Sequence, residues 1–192
     1  MIMYLFFDTE TTGLPKNYQA PLDDFSNWPR IVQIAWCIYD TEGNLWESYS
    51  HIIKPDGFVV PPESTKIHRI SHEKALAEGI DLKESLIRFL EDVRSASFIV
   101  AHNIDFDLKI IGSELLRLGL ENDLIAAEKI CTMKSSVNYC RISNGRGAYK
   151  WPNLTELYTC LFAKTFAEAH DALFDVKACA DCFFELKRRK AL

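Results

Sequence analysis

The sequence predicts an α/β fold, one five-stranded mixed sheet with helices on its faces. Three observations lead there. Short apolar runs bounded by turn residues recur along the chain, as strands do. The first three follow one another, with Gly43 in the turn between the second and third, which marks an antiparallel region. After that, strands alternate with amphipathic helices, the pattern of right-handed crossovers between parallel strands.

Tyr4–Asp8 is an apolar, aromatic-rich run and reads as a buried strand. Gly13 to Pro29 is polar and holds Pro15, Pro21 and Pro29, so residues 14–29 read as a loop insertion. Ile31–Tyr39 is the second strand and Tyr49–Ile53 the third, joined by a hairpin turn at Thr41–Asn44. Pro61 and Pro62 start a short helix that runs to about His68. Leu82–Val93 is amphipathic, with Leu82, Leu86, Phe89, Leu90 and Val93 on one stripe. Phe98–Ala101 is a brief fourth strand. Ile104–Leu118 is the next helix; Ile104, Leu108, Ile111, Leu115 and Leu118 face inward and Gly119 ends it. Glu128–Thr132 is the fifth strand, and Asn153–Phe162 and Asp171–Lys190 are the last helices.

At 192 residues, with 48% hydrophobic and 26% charged positions, the chain reads as one domain, 1–192, with enough apolar material for a core. A net charge of −5 argues against a protein that coats nucleic acid by charge alone. It leaves room for a nuclease, because bound cations supply positive charge locally. The six cysteines would suit disulfides in a secreted chain. However, Asp8 comes too early for a signal peptide, and no run nears the roughly 20 apolar residues of a membrane span. The expectation is a reduced, cytoplasmic protein away from membranes. Cys179 and Cys182 form a lone CxxC on a helix and read as small buried hydrophobes rather than a zinc or redox pair.

Three clusters carry chemistry. Asp8 and Glu10 are two apart, so a strand running through them turns both to one face. Taken alone, such a pair fits solvated turn residues better than a site. As neighbours they repel, and magnesium or manganese, hard cations that prefer oxygen, would neutralise them. His102-Asn103-Ile104-Asp105-Phe106-Asp107 sits where the fourth strand passes into a helix, with Asp107 in the first turn, where negative charge is favoured. Asp105 reads as compensation of the helix dipole; His102 and Asn103 read as satisfying loop backbone. His170-Asp171-Ala172-Leu173-Phe174-Asp175 opens the last helix. Asp175 lies among apolar neighbours and needs a cation or hydrogen bonds. His170 would sit on the preceding loop, as a cap or as a general base.

Together the clusters resemble the three motifs of the DEDD exonucleases: Phe7-Asp8-Thr9-Glu10-Thr11-Thr12-Gly13, then a version of HNxxFD at 102–107, then one of HxAxxD at 170–175. Histidine stands five before Asp175, and Asp171 occupies the position where the other branch has tyrosine. That resembles the DEDDh, or DnaQ-like, branch, similar to the proofreading epsilon subunit of bacterial DNA polymerase III. The resemblance implies a ribonuclease-H-like fold, three antiparallel strands followed by two parallel ones, and a 3′–5′ exonuclease that releases nucleoside 5′-monophosphates. It implies that Asp8, Glu10, Asp107 and Asp175 hold two divalent cations, Mg²⁺ or Mn²⁺, and that His170 is the general base. It puts Glu63 and His68 at the terminal nucleotide, with Thr11, Thr12, His102 and Asn103 as further substrate-side residues. Arg69 stands where many members have glycine, which implies a different local backbone.

The resemblance leaves DNA or RNA open, since oligoribonuclease and ribonuclease T share the branch; the 3′ end of single-stranded DNA is the favoured substrate. No clamp-binding peptide is legible, so association with a polymerase is left open. Competing readings are a metal-free glycosidase using paired acids and a noncatalytic polymerase-associated module. From Met133 to Pro152 the chain has Lys134, Arg141, Arg146 and Lys150, no acid, and Tyr139, Tyr149 and Trp151 interleaved. That pattern suits a single strand as well as it suits a solvated loop. The run Lys187–Lys190 reads as cations favoured at a helix C-terminus.

Overall fold

The structure is a computed structural model that describes residues 2–164 and 171–192. Its strands are β1 (Tyr4–Thr11), β2 (Ile31–Tyr39), β3 (Leu45–Ile52), β4 (Phe98–Ala101) and β5 (Lys129–Cys131). They form one sheet in the order β3-β2-β1-β4-β5. β1 pairs antiparallel with β2 and β2 antiparallel with β3, while β1–β4 and β4–β5 are parallel. This is the expected five-stranded mixed sheet.

The helices are α1 (Pro62–His68), α2 (His72–Glu78), α3 (Leu82–Ser95), α4 (Ile104–Leu118), α5 (Thr132–Ser135), α6 (Val137–Cys140), α7 (Leu154–Phe162) and α8 (Ala172–Arg188). Period-two alternation sends Leu5 and Phe7 of β1 to one face, where they meet Leu86 and Phe89 of α3 and Ile104 and Ile111 of α4. Tyr4 and Phe6 point the other way, onto Val176, Cys179 and Phe183 of α8. Both faces are covered, so β1 and β2 are nearly all buried.

Several boundaries differ from the sequence reading. β1 runs three residues beyond Asp8 because β2 keeps pairing with it, through Glu10↔Gln33 and Thr11↔Ile31. β3 starts at Leu45, well before Tyr49; it is an edge strand, largely exposed, and has no apolar alternation to announce it. α2 has Ala75 as its only buried residue and hence no stripe to read. Within the segment read as a loop after Met133, α5 and α6 are each a single turn, too short for periodicity to show. Leu108 and Leu118 are only partly buried, and Ile110 takes a core place instead. Arg69 adopts φ 62°, the left-handed conformation glycine takes freely. The side chain is therefore tolerated there at a cost of about 1–2 kcal/mol.

The 14–29 segment is held down. Asn17 and Asn27 exchange hydrogen bonds, Asn17 N–H to Asn27 Oδ1 at 2.7 Å and Asn27 Nδ2 to the Asn17 carbonyl at 3.0 Å. Arg117 of α4 donates to the carbonyls of Phe25 and Trp28. Gly112 lets the loop lie against α4: a Cβ there would meet Leu22 Cδ1 at 3.0 Å. All six cysteines are free, and Cys179 and Cys182 are buried on α8 in two different apolar clusters. No helix among the described residues is long and apolar enough to cross a membrane.

Candidate active site

The site forms at the C-terminal ends of β1 and β4, beside the start of α8. β1 carries Asp8 and Glu10 on the face that Tyr4 and Phe6 share, so both carboxylates look toward α8. α8 is fixed there by two residues. The Asp171 carboxylate caps it, accepting from the N–H of Leu173 at 3.0 Å and of Phe174 at 3.4 Å. Gln33, the β2 partner of Glu10, accepts the Ala172 N–H at 3.2 Å and donates to Asp171 at 3.4 Å. One turn on stands Asp175, whose N–H donates to the Asp171 carbonyl. As a result, one oxygen each of Asp8, Glu10 and Asp175 lie within 4.8 Å of one another.

Asp107 arrives from α4. The chain leaves β4 and enters α4 through only His102 and Asn103, a sharp turn made possible by Asn103 at φ 65°. The β1–β4 ladder stops at Phe6↔Val100. Beyond it, the Asp107 carboxylate takes the Thr9 N–H at 3.1 Å and the Thr9 hydroxyl at 2.7 Å, both on Oδ1. Asp107 is 2% exposed. Asp105 in the same turn points out and pairs with Lys134.

These acids are held against their own repulsion. Burial, followed by the charges of Asp107, Asp175 and Glu10, raises the Asp8 carboxyl well above its usual range. Burial and then Asp175 and Asp107 push Glu10 up to about 8. Burial pushes Asp107 to about 7 against the two Thr9 hydrogen bonds, and so outweighs the helix N-terminus that was expected to favour its charge. The charges that act most on Asp8 and Glu10 are all negative. An all-oxygen donor set short of positive charge fits hard divalent cations.

Known proteins give the arrangement its kinship. The RNase_T family, described as exonuclease, matches residues 5–183. The chain belongs to this exonuclease family. The chain is 31% identical over 119 residues to the PolC-type DNA polymerase III of Ureaplasma parvum serovar 3, a match covering 62% of this chain but 7% of that protein. Among solved structures, the zinc-bound E. coli ExoI–ssDNA complex superposes with a TM-score of 0.77 at 22% identity, over 99% of this chain and 41% of that one. Exonuclease X in complex with 5′ overhanging duplex DNA gives 0.65 at 24% identity, over 98% and 93%. At these identities the likeness is one of fold, the ribonuclease-H-like exonuclease fold. The chain spans only a small part of the curated polymerases and under half of ExoI.

The residues expected on the substrate side divide into two groups. Asn103 and Glu63 are exposed. The others have work inside the protein. The Thr11 hydroxyl donates to the Gly13 carbonyl at 2.6 Å. Thr12 accepts the Arg30 N–H on its hydroxyl at 2.9 Å and gives its own N–H to the Arg30 carbonyl, so it closes the turn and its N–H is already engaged. His68 is buried, with Nδ1 accepting the Ile70 N–H at 3.1 Å. His102 has Nδ1 at 3.0 Å from the Thr132 hydroxyl and Nε2 at 3.0 Å from the Pro152 carbonyl. With both nitrogens engaged and burial lowering its pKa to about 4, it is a neutral tie between β4, β5 and the loop before α7, not a polar contact open to substrate. His170 lies outside the described residues. Thr9 and Gln33 were not singled out in the sequence. Gln33 had a readable signal: a lone polar residue inside the apolar run Ile31–Tyr39.

Proposed function

We propose that this exonuclease removes nucleotides from the 3′ end of single-stranded or frayed DNA, releasing nucleoside 5′-monophosphates, by the two-metal chemistry of the DEDDh branch. The convergence of Asp8, Glu10 and Asp175 within 4.8 Å, with Asp107 tied in by Thr9, carries the reading. Asp8, Glu10, Asp107 and Asp175 would hold two divalent cations, Mg²⁺ or Mn²⁺. Bound there, such cations neutralise developing negative charge on the phosphodiester and lower the pKa of water.

The chain's own groups do the rest. Thr9 holds Asp107 in place, and Gln33 and Asp171 fix the start of α8 and so the height of Asp175. His170, from the segment just before α8, takes the proton of the attacking water. Exposed Asn103 and Glu63 contact the terminal nucleotide, and His68 shapes the wall behind it. The PolC-type relatives and the DNA in the ExoI and Exonuclease X complexes favour DNA as substrate, a proofreading or repair role, and a polymerase as partner. Six free thiols favour the cytoplasm.

Matched 5′-end-labelled DNA and RNA oligonucleotides, incubated with Mg²⁺, Mn²⁺ or EDTA, test this. The DNA should shorten from its 3′ end with either metal and stay intact in EDTA. Faster loss of RNA would convert the reading to an exoribonuclease; cleavage that persists in EDTA would end it.

A further inference from the structure

The segment between α6 and α7 is built as a small hairpin. Lys150 N–H donates to the Ile142 carbonyl and Asn144 N–H to the Ala148 carbonyl, both at 2.9 Å, and Ser143 bridges Tyr149. Gly145 and Gly147, at φ 73° and 81°, make the tip. The foot is fastened: Lys150 pairs with Glu156, Asn153 and Glu156 form the capping box of α7, and the Pro152 carbonyl takes a 3.0 Å hydrogen bond from His102. That last bond joins the hairpin to the two-residue turn leading into the Asp107 helix.

What this arm displays is aromatic and cationic. Trp151 is 63% exposed and Tyr149 47% exposed, although aromatic rings are normally taken into cores. Arg141 and Arg146 are exposed and form no ion pair among the described residues. No acid occurs from Met133 to Pro152, in a chain of net charge −5. Exposed rings together with guanidinium groups that lack an ion-pair partner among the described residues match unpaired bases on a phosphate backbone.

We infer that the Ile142–Lys150 hairpin and Trp151 hold the single strand upstream of the end being cut, with Trp151 stacking on an unpaired base and Arg141 and Arg146 supplying charge to its phosphates. The inference rests on the proposed function for what lies at the carboxylates, and adds the path by which the strand reaches them. It makes the hairpin a determinant of preference for single strands over duplex, whose bases are stacked already.

The test uses fluorescein-labelled dT12 and the full chain silenced by Asp8→Asn, with binding read by anisotropy in magnesium. Adding Trp151→Ala should weaken binding about tenfold, and Trp151→Phe should restore most of it. Arg141→Ala with Arg146→Ala should flatten the dependence of affinity on salt. In the active background, Trp151→Ala should cut kcat/KM for dT12 about tenfold more than for the p-nitrophenyl ester of thymidine 5′-monophosphate, which has no upstream nucleotides. Wild-type affinity in the Trp151→Ala protein, or equal losses on both substrates, would overturn the inference. A parent protein that cleaves neither substrate would overturn the proposed activity instead, while anisotropy still decides the role of Trp151.

Discussion

Thr9 gives both its backbone N–H and its hydroxyl to one oxygen of Asp107, at 3.1 and 2.7 Å. The pair joins the strand bearing Asp8 and Glu10 to the helix bearing Asp107, where β4 has ended and the ladder offers no partner. These bonds lower a carboxyl that burial raises to about 7. Thr9→Val keeps the shape and removes the hydroxyl. The Asp107 pKa should climb, protons should compete better with metal, and the Mn²⁺ concentration for half-maximal activity should rise about tenfold. A metal titration of activity checks it; an unchanged midpoint would remove Thr9 from the site.

The acid cluster sets a pH trend for the metal-free protein. Folding raises Glu10 from 4.5 to about 8 and Asp107 from 3.8 to about 7, with Asp8 raised as well. Between about pH 4 and pH 8 these three acids therefore hold more protons in the folded state than in the unfolded chain, and their contribution to stability falls as pH rises, while His102, lowered to about 4, opposes them below its ordinary value. In EDTA the Tm should be lower at about pH 8.5 than at about pH 6, and added Mg²⁺ should close much of the gap. Each 1 kcal/mol is worth about 2–4 °C at this chain length. A metal-free Tm that rises across that interval contradicts the trend.

Gln33 links the strand opposite Glu10 to the first N–H of α8. Gln33→Leu conserves volume but strips the buried Ala172 N–H of its acceptor. Stability should drop by about 1–3 kcal/mol, and kcat should fall about tenfold as Asp175 loses its position. Circular dichroism separates the two by confirming the folded state. Full activity in the folded variant would make Gln33 a packing residue only.

His170→Ala should lower the rate strongly at neutral pH with a smaller loss of metal affinity, since the proposed function makes His170 the base and the substitution removes no carboxylate. Rate against pH for the two proteins is the readout, and an unchanged neutral rate would take His170 out of the proton path.

How far the sequence could be read follows from where the signals are local. Ile31–Tyr39, Phe98–Ala101 and Ile104–Leu118 match the structure end to end, because apolar runs, a αL-favouring Asn103 and a terminal Gly119 are written in the residues themselves. Asp175 stood out against its apolar neighbours, whereas Asp8 and Glu10 could be singled out only once the three clusters were taken together. The polar end of β1 and the exposed β3 were hidden, since pairing partners rather than local pattern make them, and α5 and α6 were hidden because a single turn is too short for a period to show. The commitment of His102 to Thr132 and Pro152 was hidden for the same reason: its partners lie 30 and 50 residues away.

The account stands on carboxylates gathered to hold divalent cations. Calorimetric titration of Mn²⁺ into the wild-type chain and into Asp8→Asn tests that most directly. The wild type should bind and Asp8→Asn should lose most of the affinity, along with activity by on the order of 10²–10³-fold, while its metal-free Tm rises as repulsion is relieved. Wild-type Mn²⁺ affinity in the folded Asp8→Asn protein would contradict the account.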